Sequence, residues 1–95
     1  MTHATTKPTP FAPCDHTDHH LFAVQPDIPI LDALEHASVY LSCAEALAHQ
    51  APTATRPEHG ASLRWASQQM LGTARSLVQA SVDGLHAAAQ AGGEA

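Results

Sequence analysis

Seven prolines divide this chain, at positions 8, 10, 13, 26, 29, 52 and 57. Proline lacks the backbone N–H and its ring clashes with the preceding turn, so helix interiors expel it. Two proline-free segments remain, 30–51 and 58–95. A chain of 95 residues makes at most one domain. Those two segments must therefore carry most of its regular structure.

Both segments have helical periodicity. With Ile30 as heptad position a, positions a, d and e read Ile30, Ala33, Leu34, Ala37, Tyr40, Leu41, Ala44, Leu47 and Ala48. All are apolar or aromatic, while the other side, Asp32, Glu35, Val39, Ser42, Ala46 and Gln50, is mostly polar. A first helix is predicted over about 29–50. Asp27 offers it a capping oxygen and Pro29 suits its first turn. The second stripe is Leu63, Ala66, Ser67, Met70, Leu71, Ala74, Leu77, Val78, Ser81 and Leu85, which predicts a helix over about 57–88. Thr55 and Glu58 have capping-box spacing. Gly72 is a candidate for a close backbone approach. Residues 89–95 are expected to fray.

Two helices with a short connector make an antiparallel hairpin. The expected fold is all-α, with Leu21–Gln25 (LFAVQ) as a strand or an extended arm leading into the first helix. The stripes are broader than one neighbouring helix can cover. Two hairpins packed face to face, a homodimeric four-helix bundle, would cover them. The expected core and dimer positions are Ile30, Leu34, Ala37, Tyr40, Leu41, Ala44, Leu47, Leu63, Met70, Leu71, Ala74, Leu77, Val78 and Leu85. A charge at Leu41 or Leu77 should abolish folding.

Net charge is −5 with neutral histidines, and the four cations, Lys7, Arg56, Arg64 and Arg75, are scattered. Neither a nucleic-acid surface nor an anionic membrane suits that pattern. No run of apolar residues is long enough to span a membrane. The N-terminus lacks the apolar core of a secretory signal. Cys14 and Cys43 form no CxxC pair. A cytosolic location is the expectation. The order strand–helix–helix suggests ribbon–helix–helix DNA binders, but LFAVQ carries no basic reader.

Residues 1–20 are rich in Thr, Pro and His and are expected to be a disordered tail. Its end, CDHTDHH, holds the densest chemistry in the chain. Cys14, His16, His19 and His20 are ligand types that zinc or nickel accepts. The spacing matches no strong metal template, so the plain reading is a solvated tail. His36 and Cys43 share one helix edge but lie about 10 Å apart along the axis, too far for a direct hydrogen bond. Tyr40 reads as packing. Trp65 and Phe22 either pack together or serve as anchors for a partner. No enzyme motif is present, and no catalytic residue is assigned. The functional expectation is a protein-interaction module, an adaptor or regulator, with metal binding or sensing by the tail as the alternative.

The run LFAVQPDIPILDALEHASVYLSCAEALA, followed by WASQQMLGTARSLVQ, resembles a family of short bacterial proteins common in pseudomonads that carry a domain of unknown function. The shared elements are the apolar arm (Leu21, Phe22, Val24), the turn at Pro26, a helix start at Asp32, Ala33, Leu34, Glu35, Ala37 and Ser38, and Trp65. The resemblance covers about residues 20–80. It implies a small helical fold and no known activity.

Overall fold

The computed structural model describes residues 3–93. The chain forms two strands, β1 (Thr9–Pro13) and β2 (His20–Val24), then α1 (Ile30–Gln50), a single 3-10 turn (Ala51–Thr53) and α2 (Pro57–Gly93). The protein is mostly helical, and its N-terminal part is a two-stranded antiparallel ribbon. Residues 1–2 and 94–95, at the ends of the two expected tails, lie outside the described residues.

The helical hairpin follows the apolar periodicity. Its seam is made of small residues: Ala33, Ala37, Ala44 and Ala51 face Ser67, Ala74 and Ser81, all buried. Small side chains let two backbones approach closely, so the seam is tight but encloses little apolar volume. The Ser67 hydroxyl crosses it and donates to the Ala44 carbonyl (2.8 Å). The largest side chains that are fully buried are Thr6 and Ser81. Among the described residues no leucine, methionine or aromatic side chain is one of them.

The N-terminal segment departs from the expected disorder. Thr6 is buried and tied to the turn before α1 by four hydrogen bonds. Its hydroxyl donates to the Gln25 carbonyl (2.7 Å) and accepts from the Ile28 N–H (3.1 Å). Its own N–H donates to the Ile28 carbonyl (2.8 Å), and its carbonyl accepts from the Asp27 N–H (3.1 Å). Beyond it the Lys7 N–H reaches the Ala80 carbonyl of α2 (3.2 Å). These bonds supply the order that low apolar content withholds.

β1 pairs with β2 in the register Thr9↔Val24, Phe11↔Phe22 and Pro13↔His20. Prolines are tolerated in β1 because an edge strand needs only some of its N–H groups. Ala12 takes a left-handed backbone (φ 59°) between the last two pairs. LFAV is therefore a true strand, and its partner comes from the segment expected to be disordered.

Four further expectations are corrected. Pro29 occupies the N-cap of α1, while Asp27 sits in a left-handed turn (φ 70°) and its side chain caps nothing. Thr6 fixes the turn ahead of Pro29, and no side chain caps the helix itself. At α2 the Arg56 carbonyl accepts from His59 (3.0 Å) and Gly60 (3.2 Å), in place of a Thr55–Glu58 box. Helix α2 continues past 88 to Gly93. The close backbone approach occurs at Gly84, where an added Cβ would collide with the Thr5 carbonyl; nothing lies within 4 Å of such an atom at Gly72.

Candidate interaction surfaces

The apolar stripes divide into two sets, one in the seam between the helices and one on an outer side of the hairpin. Positions a and d of each helix (Ser67, Ala74 and Ser81 being a in α2) meet in the seam, with Ala37, Ala44 and Ala74 buried and Ile30, Tyr40, Leu47, Leu63, Met70 and Leu77 partly covered. Position e of both helices faces outward on one side. Leu34, Leu41, Leu71, Val78 and Leu85 stand there, between 39 % exposed at Leu34 and 48 % at Leu85. In an antiparallel pair the two e positions flank the same side of the seam. Val82 and Leu31, also exposed, extend this leucine face. Its rim carries Glu45 on α1 and Arg64 and Arg75 on α2.

The other side carries the N-terminal segment and the ribbon. Successive residues turn by about 100° on a helix. Ala80 and Ser76, both buried, therefore lie well round α2 from Val78 and Leu85. β1 is the strand nearer α2, and β2 lies further out. The ribbon does not settle fully onto the helices. A cavity of about 480 Å³ opens between β2 and α1, with Asp32, His36 and Tyr40 on the α1 wall and Leu77 on the floor. A second of about 490 Å³ runs toward Phe22, Trp65 and Met70. Both contain Phe11, Ala23, Tyr40 and Thr73, so they form one groove.

The chain has only four aromatic residues, two Phe, one Tyr and one Trp. All of them line this groove. Phe11 and Phe22 face each other across the ribbon with ring centroids 5.7 Å apart. Trp65 remains 65 % exposed and Phe22 58 %. The two expected anchors thus share one surface. Tyr40, read as packing, is a groove wall. His36 packs its ring beside Tyr40 (6.5 Å) and donates from Nδ1 to the Asp32 carbonyl (2.9 Å). Cys43 is exposed and free, like Cys14.

Sequence reasoning missed Phe11. The signal for it was present: two Phe-Ala dipeptides, at 11–12 and 22–23, flank an Asp-x-Thr turn. That turn is CDHTDHH itself. Residues 14–19 are the loop joining β1 to β2, and the Cys14 N–H closes it on the His19 carbonyl (3.2 Å). The Asp15 carboxylate accepts from the Thr17 hydroxyl (2.7 Å), the Thr17 N–H (2.9 Å) and His19 Nδ1 (2.7 Å). The Thr17 hydrogen bond, then that from His19, holds the Asp15 carboxyl below the usual carboxylate range. His20 donates to the Asp18 carbonyl (3.1 Å). The four expected ligands are all exposed, and His19 and His20 spend a ring nitrogen on the loop's own oxygens. Among the described residues no group of three or more His, Cys, Asp or Glu is arranged to hold a metal ion. No described helix is long and apolar enough to cross a membrane.

The molecule is thus a helical hairpin with a β-ribbon, bearing a leucine face and an aromatic groove on opposite sides. It belongs to a family of proteins of unknown function, DUF3077, whose model matches residues 5–86. The match takes in Thr6 and β1, which the resemblance over 20–80 left out. No curated protein and no solved structure shows significant similarity to the chain.

Proposed function

We propose that this protein is a small cytosolic interaction module, an adaptor or regulator, that works as a homodimer joined through its leucine face. One observation carries the reading: among the described residues no layer of the protomer covers Leu34, Leu41, Leu71, Val78 and Leu85. Its extents are 60 × 30 × 15 Å, a plate little more than one helix thick. Domains are built from two packed layers around a core. A second hairpin laid on the leucine face supplies the missing layer and makes a four-helix bundle.

Two magnitudes support this. The protomer exposes 6884 Å², where a compact monomer of its mass exposes about 5,200 Å². The excess exceeds the ~800 Å² per partner that a standard interface buries. The radius of gyration is 16.5 Å, against about 12 Å for a compact chain of this length. The rim charges also suit a two-fold apposition. Glu45 belongs to one helix and Arg64 and Arg75 to the other, so each copy offers both signs to its mate.

Sedimentation equilibrium of the full chain tests the reading. The wild type should be a dimer at micromolar concentration, and Val78→Asp should shift it to monomer. A folded wild-type monomer across that range would falsify the dimer.

A further inference from the structure

We infer that the aromatic groove receives an extended apolar segment of a partner protein, with a basic residue at one end, as a third strand on β2. This rests on the interaction-module reading but not on the dimer, since groove and leucine face are on opposite sides of the hairpin.

The ribbon has two edges, and they differ. β1 contains Pro10 and Pro13, follows Pro8, and lies nearer α2. Its outer edge lacks N–H groups where an added strand would need them. β2 has no proline, and among the described residues it pairs with β1 alone. Leu21 and Phe22 are exposed on it. A strand added at a sheet edge takes affinity from main-chain hydrogen bonds and specificity from pockets for its alternate side chains. The groove supplies those pockets. It is bounded by β2, has Tyr40 and His36 on its far wall, and continues to Phe22 and Trp65.

Charge fixes the polarity of the occupant. Among the described residues that line the groove Asp32 is the single fixed charge, and none is a lysine or arginine. An apolar segment that reaches the α1 end therefore places a lysine or arginine there. This chain has no such segment to lend a second copy. Lys7 is held against α2 through its N–H, Arg56 stands at the start of α2, and Arg64 and Arg75 lie within it. The occupant is foreign.

Trp65 is the one tryptophan of the chain and lines the groove, so its emission reports occupancy. The probes are short synthetic peptides of alternating leucine and serine with capped ends. One carries a terminal lysine, one a glutamate instead, and one the lysine with alternate backbone amides N-methylated. Octylamine serves as a small apolar cation. With full-length protein, the lysine peptide should give a saturable change in emission. The glutamate peptide should bind about tenfold more weakly, and the methylated peptide should not bind. Asp32→Asn should bring the lysine and glutamate peptides to equal affinity with helicity unchanged. The inference is overturned if no peptide saturates by ~1 mM, or if the methylated peptide or octylamine binds as well as the lysine peptide. It is also overturned if sedimentation of the same samples shows the emission change to be dimer dissociation. A wild type that is monomeric yet binds the lysine peptide with this selectivity supports the groove and removes only the dimer.

Discussion

Single atoms decide much in this small protein, and two glycines of α2 show how differently. At Gly84 a methyl group would meet the Thr5 carbonyl, with the Ile30 side chain 3.2 Å away. Gly84→Ala must push the N-terminal segment off the helix, so it should cost about 1–3 kcal/mol. Urea unfolding measures that loss, and hydrogen exchange at the Lys7 amide should speed up with it. Gly72 meets nothing within 4 Å. Gly72→Ala only restricts the unfolded chain and improves helix propensity, so it should stabilise by roughly 0.4–1 kcal/mol. Equal effects at the two sites would refute the close approach. Asp15 gives a prediction of a different kind. Its carboxyl is held below the ordinary range chiefly by the Thr17 hydroxyl. A lowered folded value means that the loop gains stability above the usual aspartate midpoint, about 3.9. That gain disappears as pH falls through the lower folded value. Carbon-detected NMR titration should show Asp15 protonating below the usual aspartate midpoint, and Thr17→Val should move it upward. A midpoint unchanged by Thr17→Val would remove the hydroxyl as the cause.

The elements differ in how far the sequence discloses them, and the difference is one of range. Helix α1 was expected over 29–50 and runs Ile30–Gln50, and α2, expected from about 57, begins at Pro57. Their periodicity is repeated many times within each segment, so local residues suffice to place them. β1 is held by Thr6 bonds to partners 19 and 22 residues away, and by pairing across the loop. No window of composition contains both partners. The groove was hidden for the same reason: Trp65 and Phe22 were visible as candidate anchors, but Phe11 becomes their neighbour only once the ribbon folds back. The a, d and e periodicity was visible, but not its division into a seam and an outer face, because alanine and leucine are equally apolar while differing in size. That size difference is testable at the level of the helix pair. Ala37 is 2 % exposed within the seam. Ala37→Leu should force the helices apart and cost about 1–3 kcal/mol. Leu34→Ala, on the outer face of the same helix, should leave the protomer's seam intact and weaken only association. Urea unfolding of both variants, set beside their sedimentation, separates the two roles.

At the scale of the whole molecule, the missing second layer gives a sharp contrast between two leucines that the sequence alone treats alike. Leu77 lies at a seam position, partly covered, and forms the floor of the groove. An aspartate there would sit among Tyr40, Ala33 and Val24 with no cation in the groove lining to pair it. An unpaired carboxylate so placed is costly, and Leu77→Asp should be unfolded by circular dichroism at every concentration. Leu41 is 46 % exposed on the outer face. In the single protomer an aspartate at 41 keeps its water, so Leu41→Asp should retain helicity while losing its mate. Dimerisation makes stability depend on concentration by mass action, because the unfolded chain has no partner. Wild-type Tm should therefore rise with protein concentration, whereas the Tm of Leu41→Asp should be lower and should not move. The same contrast bears on the groove. Since Leu41 faces away from it, the monomeric variant should still bind the lysine peptide through Trp65 fluorescence. A Leu41→Asp protein that stays folded, dimeric and concentration-dependent would show that the second layer attaches elsewhere, with the exposed ribbon residues Leu21 and Phe22 the next surface to mutate.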